Sequence, residues 1–388
     1  MTLLSTSAEN AIDGAFARLV EIASRGLPRL VVDGGRALCH RALQRPGGQV
    51  ALDGRSERYT AMALIGIEHW RRHGAPPALA LDTLYDGLAS WPSPSAGDQG
   101  LILWAQLLRG DARAEATAAA LLQRRDEVFA SRSDCASMET GFLLRGLAAG
   151  RAAGLPGIAA FADDVAAVLV RNQDPTTGLF SFSRRVRRKN VFRTRRETHL
   201  GSFASQVYPT MALAALTAAG GDAGWQRAAE RCADRVASLQ GPTGQWWWIY
   251  QVGRAVPALR YPVYTVHQDA MGPMMLLATA LASGQPRRYD ASIERSLAWF
   301  DRRDERPDVE LLDDDGGMVW RAVQRDDPAT TAALGLGSGE LLRLGRVAWT
   351  GTEDRRAFRG GHVCPESRPY HHGWILLAAA MWAQSKVM

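Results

Sequence analysis

The chain has 388 residues, 46% of them hydrophobic, and a formal net charge of +6; its four cysteines (Cys39, Cys135, Cys232, Cys364) follow no regular spacing, which excludes a disulfide framework. No uninterrupted apolar run reaches the length of a membrane span, so no transmembrane segment is expected. The first ten residues carry neither a basic stretch nor a long apolar one, so no secretory signal is expected and a cytoplasmic location is the default.

In chain order, apolar residues recur at i, i+3, i+4 and i+7 over 8–24, 59–73, 77–88, 100–108, 112–130, 137–152, 157–172, 203–219, 225–239, 271–283, 290–301, 334–344 and 372–385. Gly, Pro or Asp clusters separate these thirteen predicted helices. Strand-like runs are few; Gly316-Gly-Met-Val-Trp-Arg-Ala-Val323 is the best of them. No low-complexity linker divides the chain, and Trp91-Pro-Ser-Pro-Ser-Ala-Gly97 is short enough to be a loop, so 1–388 reads as one domain.

So many helices without a linker call for a repeating helical architecture. Two turns recur in phase with it: Gln173-Asp-Pro-Thr-Thr-Gly178-Leu-Phe180 and Gln240-Gly-Pro-Thr-Gly244-Gln-Trp246, with their glutamines 67 positions apart. That interval reads as two helical hairpins of about 34 residues each. The expected fold is an all-α, six-hairpin (α/α)6 toroid with short β-hairpin loops. An open array would need a polar terminal repeat, and 372–385 is strongly apolar.

The second turn resembles the glutamine–tryptophan repeat of squalene–hopene and related terpenoid cyclases, and the first is a degenerate copy ending in phenylalanine. The resemblance implies the α/α toroid of terpenoid cyclases and protein prenyltransferases. It also implies a bracing role for the turn, with glutamine hydrogen bonds and aromatic stacking tying helix ends. Six-hairpin sugar enzymes are similar in helical ring and hairpin rhythm.

The densest aromatic and polar segment follows the second turn. Trp246, Trp247, Trp248 and Tyr250 are candidates for lining a pocket, because tryptophan faces hold cations or stack on sugars. In Tyr261-Pro-Val-Tyr264-Thr-Val-His267-Gln-Asp269, Tyr264 and His267 are candidate acid–base groups, with Tyr261 beside the ligand. Asp269, near a helix start, suits a cap, orienter or base, because the helix dipole favours its anion. Glu139 falls on the apolar stripe of 137–152, where it needs either an arginine partner or a proton; it is a candidate general acid. Asp134 and Cys135 belong to the same rim.

Other polar helix entries point to the same face. Arg58-Tyr59, Tyr208-Pro209 and Arg368-Pro-Tyr370-His371-His372 are candidate binding residues, with Arg368 facing an anion or an acid. Asp313-Asp-Asp315 differs from the Asp-x-Asp-Asp acid motif of class II terpene cyclases and reads as a turn. Cys364 and the adjacent histidines have no second cysteine nearby, so no metal is expected, nor any other cofactor. The basic cluster over 184–196 has no nucleic-acid module with it, so nucleic acid is not an expected partner; peripheral contact with an anionic membrane stays open, and the oligomeric state is undefined. The leading expectation is a protonation-initiated cyclase of terpenoid type. The alternatives are a glycan-modifying epimerase, lyase or hydrolase, and a non-enzymatic helical scaffold.

Overall fold

The structure is a computed structural model that describes residues 2–93, 95–130, 136–183, 196–325 and 360–388, with side chains from residue 8. The predicted helix 334–344, the rim pair Asp134 and Cys135, and 184–195 of the basic cluster lie outside the described residues.

Thirteen α-helices are described. They are α1 (Thr2–Gly26), α2 (Glu57–Trp70), α3 (Leu81–Ala89), α4 (Ala96–Arg109), α5 (Arg113–Gln123), α6 (Arg125–Ala130), α7 (Ser137–Ala152), α8 (Ile158–Val170), α9 (Phe203–Ala218), α10 (Ala223–Ser238), α11 (Gly272–Ala282), α12 (Asp290–Arg302) and α13 (Pro369–Ser385). Helices α2, α4, α7, α9, α11 and α13 pack side by side in that order, and α13 closes back on α2. This inner ring is apolar nearly all round, as a helix covered on every side must be. Helices α3, α5, α8, α10 and α12 form the outer layer. The remaining outer position is filled by α1, which packs on α13 and α12, so the two ends of the chain seal one seam. The molecule is an α/α toroid of six inner and six outer positions.

Close approach of neighbouring inner helices depends on glycine. A Cβ on Gly146 would meet the Gly100 carbonyl oxygen at 2.1 Å, and one on Gly66 would meet that of Gly373 at 1.8 Å. Any larger residue there would force α4 from α7, or α2 from α13.

The glutamine turns brace the outer layer. Gln173 Nε2 donates to the carbonyls of Gly178 (2.9 Å) and Ala228 on α10 (2.8 Å). Gln240 Nε2 does the same to Gly244 (3.1 Å) and Ser292 on α12 (2.9 Å). A second glutamine completes each turn: the Phe180 N–H donates to Gln206 Oε1 (2.7 Å), and the Trp246 N–H to Gln268 Oε1 (2.9 Å). Among the described residues the 67-residue interval therefore holds one hairpin, α9 and α10, rather than two.

Strands are more numerous than the sequence pattern predicts, because each is only two to four residues long and too short for alternation to register. They gather where the chain enters the inner helices. Leu200–Ser202 pairs with Ile249–Gln251 just before α9, and Ala322–Arg325 lies between Val263–Tyr264 and Gly361–Cys364. Glu366–Ser367 pairs with Arg41–Gln44 just before α13. These small sheets rim the N-terminal mouth of the inner ring. Asp313-Asp-Asp315 lies in the turn of another hairpin, where Asp314 pairs with Arg18 of α1 at 2.6 Å. No described helix is long and apolar enough to cross a membrane.

Candidate active site

The first turns of four inner helices bring polar side chains to the mouth. Ser56 caps α2 by accepting from the Tyr59 N–H (3.2 Å), which sets Arg58 and Tyr59 at the opening. Ser95 caps α4 in the same way through the Asp98 N–H (3.3 Å). Glu139 occupies the first turn of α7, and Tyr370 and His371 that of α13.

Arg58 joins the first three of these helices. Its two terminal nitrogens donate to Glu139 Oε1 (2.9 Å) and Oε2 (3.1 Å), while Nε pairs with Asp98. Ser95 Oγ also donates to Glu139 Oε2 (3.0 Å), and Ser93 Oγ to Asp98 Oδ2 (3.1 Å). Burial opposes the charge on Arg58, but Glu139 and Asp98 outweigh it and raise its pKa. A carboxylate gripped through both oxygens by a guanidinium is a poor proton donor, so the arginine-partner reading of Glu139 fits the geometry better than a protonated acid.

The opposite side of the mouth is built by the rim sheets. Glu366 accepts from Arg321 (3.2 Å) and pairs with Arg368, whose Nη1 donates to Tyr59 OH at 2.7 Å. Burial pushes the Glu366 carboxyl up, but Arg321 and Arg368 hold it below the usual range. Tyr59 and Tyr370 are 4.7 Å apart by ring centroid, and Arg321 lies 5.2 Å over the Tyr264 ring. Burial raises the Tyr370 hydroxyl well above its ordinary pKa. Tyr264 also meets the Trp248 edge (6.0 Å) and His267 (5.1 Å).

Among the described residues the two sides are opposite in charge balance. One has a single guanidinium, Arg58, for two carboxylates, Asp98 and Glu139. The other has Arg321 and Arg368 close on one carboxylate, Glu366, with Arg41 farther out at 3.9 Å. Tyr59 bridges them.

Below the mouth a belt of aromatic rings crosses the ring axis. Tyr208 OH accepts from Trp374 Nε1 (3.0 Å), Phe142 lies 4.3 Å from the Tyr208 ring, and Trp104 stacks on Trp374 at 6.3 Å.

The sequence-predicted residues divide between mouth and wall. Arg58, Tyr59, Glu139, Trp248, Tyr264, Arg368 and Tyr370 reach the mouth partly exposed. His267 is buried beside Phe203 (4.5 Å) and Tyr264; burial, with His371 and Arg321 adding to it, pushes its pKa down to about 3. A nitrogen of such low basicity is a weak proton acceptor near neutrality. Asp269 is fully buried in a π-helical turn and bonds His371 Nε2 (2.7 Å), tying α11 to α13; burial raises its pKa, so the dipole argument for a stabilised anion is outweighed.

Five expected lining residues are wall residues instead. Trp246 is fully buried, donating to Ser296 Oγ (2.6 Å) and stacking on Phe203 (5.8 Å). Tyr250 is fully buried in the core. Tyr261 donates to Glu305 (3.2 Å), and His372 is buried against Ser367 Oγ (3.2 Å). Trp247, also buried, carries Arg260 over its ring at 5.0 Å, and Tyr208 belongs to the belt. An aromatic run this dense is explained by packing between turn, helix and rim sheet.

Asp98, Arg321, Glu366 and the two serines escaped sequence reading. An acid three residues after Ser95, at the start of an apolar helix, was the available signal for Asp98.

Solved structures share this toroid. An unsaturated glucuronyl hydrolase specific for heparin superimposes with a TM-score of 0.62 over 98% of this chain and 99% of that one, at 14% identity. A possible GH105 family member from Klebsiella pneumoniae gives 0.59 over 96% and 93%, at 13% identity. A polysaccharide lyase gives 0.54 over 96% and 98%, at 12% identity. At such identities the likeness shows the fold alone. No protein-family model and no curated protein matches the chain. The terpenoid-cyclase resemblance is thereby corrected: the similar structures carry glycan-enzyme names, and the glutamine turn is a device of the helical ring rather than a mark of that family. The expected cyclase activity falls with it, for the mouth is lined by paired charges where a polyene would need apolar walls.

Proposed function

We propose that this protein is a glycan-modifying enzyme whose substrate carries a carboxylate, a uronate sugar in a short oligosaccharide. The observation that carries this reading is the divided mouth. The Arg321–Arg368 side has guanidinium in excess over carboxylate, which suits it to take the uronate group through charge-assisted hydrogen bonds. The facing side has carboxylate in excess, which suits Asp98 and Glu139, held as anions by Arg58, to accepting a proton and to orienting sugar hydroxyls. Trp248 and Tyr264 offer faces on which a sugar ring stacks. Tyr264 and His267 stay candidate acid–base groups beside the bound sugar, with the low basicity of His267 favouring Tyr264. The names of the similar structures, a glucuronyl hydrolase and a polysaccharide lyase among them, support the same substrate class.

The test is a panel of short oligosaccharides, uronate-bearing (saturated and C4–C5 unsaturated) and neutral, with products read by mass spectrometry. Turnover confined to the uronate-bearing set is expected, with KM raised in Arg321→Met. Turnover of neutral glycans alone, or of none of the panel, would reject the reading.

A further inference from the structure

The opposite end of the inner ring holds a second cavity, of about 520 Å³, below the aromatic belt. All six inner helices line it near their C-termini, mostly with alanine, leucine and methionine. Its few polar side chains include Arg145, Arg72 and His69.

Arg145 is the anomaly. Its guanidinium carbon lies 3.8 Å over the Trp104 ring, and among the described residues no carboxylate comes within ion-pair distance. Burial alone pulls its pKa down to about 9. It stands seven residues before the end of α7, roughly two turns, and the favourable field of a helix C-terminus fades within the last turn. The mouth arginines Arg58, Arg321 and Arg368 each have a carboxylate partner, whereas Arg145 faces an apolar cavity that it shares with the exposed Arg72.

Trp104 covers one face of the guanidinium and leaves its N–H edge free in the plane, the geometry that accepts a carboxylate through two parallel hydrogen bonds. His69 sits edge-on to the same Trp104 ring at 5.8 Å, and its Nε2 is buried with no hydrogen-bond partner. The charges acting on His69 are all cationic: Arg145, Arg72 and His73. The site thus offers one forked cation, one unsatisfied imidazole nitrogen and an apolar enclosure.

We infer that the axial cavity at the C-terminal end of the inner ring binds a small monocarboxylate with an apolar body, an aromatic or branched aliphatic acid, on Arg145 and His69. The apolar walls take the body and the guanidinium edge takes the charge. The belt separates this site from the mouth, so it stands independently of the glycan reading.

Calorimetric titration of the full chain with benzoate tests it, with benzyl alcohol as the uncharged counterpart. Benzoate should bind and benzyl alcohol should not. Arg145→Met should weaken benzoate by about tenfold or more, the worth of a charge-assisted pair. It removes an uncompensated charge, so it should fold at least as well as the parent. Ala215→Leu, which leaves Arg145 in place and narrows the cavity, should also weaken benzoate. Equal binding of the two probes, an affinity unchanged in either variant, or no benzoate binding at millimolar concentration would overturn the inference.

Discussion

The two ends of the inner ring are made by the same six helices and could hardly differ more. At the N-terminal mouth guanidiniums meet carboxylates: Arg58 meets Asp98 and Glu139, and Arg321 and Arg368 meet Glu366. At the C-terminal end Arg145 has only the face of Trp104. The cause lies in the connections. Where the entries to the inner helices are described, caps before α2, α4 and α9 and small sheets before α9, α11 and α13 supply polar side chains, whereas the C-terminal ends present mostly alanine and leucine. A toroid of this kind keeps its polar chemistry at one end by where its loops are long.

Acid is the strongest way to break the comparison. Burial pushes His267 and His372 near the mouth, and His69 at the other end, from an ordinary 6.5 to about 3. Their folded pKa lies below the unfolded one, so between those values the unfolded chain binds more protons and stability falls as pH falls. Each histidine contributes up to about 1.4 kcal/mol per pH unit in that window. Asp269, whose pKa burial raises, acts in the opposite sense and offsets part of the loss. Urea unfolding from about pH 7 to about pH 4 should show a steep decline, shallower in His69→Gln and in His267→Gln. A flat profile would mean that neither end holds its histidines uncharged.

Arg58→Met comes next. It leaves Asp98 and Glu139 facing each other with serine hydroxyls only, and should cost about 3 kcal/mol, toward the low end for a buried pair because Arg58 is partly exposed. Arg145→Met should cost nothing. Thermal melts of both variants check this, and equal losses would erase the distinction between matched and unmatched ends.

Proton chemistry is expected at one end only. Asp98→Asn, Glu139→Gln and Tyr264→Phe should each lower turnover of a uronate substrate by about two orders of magnitude if they act as acid, base or orienting groups. Ala215→Leu at the far end should leave turnover unchanged. Full activity in all three mouth variants would remove the site from this face.

Much of this was legible beforehand, and the failures have physical reasons. Helix positions emerged well because apolar periodicity is long-range: 137–152 coincides with α7. Asp98 is hidden because the Pro-Ser stretch masks the Ser95 cap, so the apolar periodicity registers only from residue 100 while the helix begins at Ala96. Arg321 and Glu366 were invisible because strands of two to four residues bring them together across a gap of 45 positions. Composition does not separate a lining ring from a packed one, so Trp246 and Trp247 read like Trp248 although of the three only Trp248 reaches the mouth.

The smallest expected effect concerns the wall that holds both ends apart. Gln240→Ala removes two hydrogen bonds that tie the α10 turn to itself and to Ser292 of α12, and leaves those carbonyls to find water. An arginine reaches the Oε1 of each glutamine, Arg295 on Gln240 (2.8 Å) and Arg231 on Gln173 (2.9 Å), but Gln240 is partly exposed, so solvent can take over part of its role. A cost of about 1 kcal/mol is expected. Gln173→Ala breaks the equivalent pair, but Gln173 is buried, so its carbonyl partners lose their donor out of reach of water and the loss should be larger. Melting both variants side by side measures the difference. If Gln240→Ala proved the more damaging, burial would not be what sets the strength of these braces.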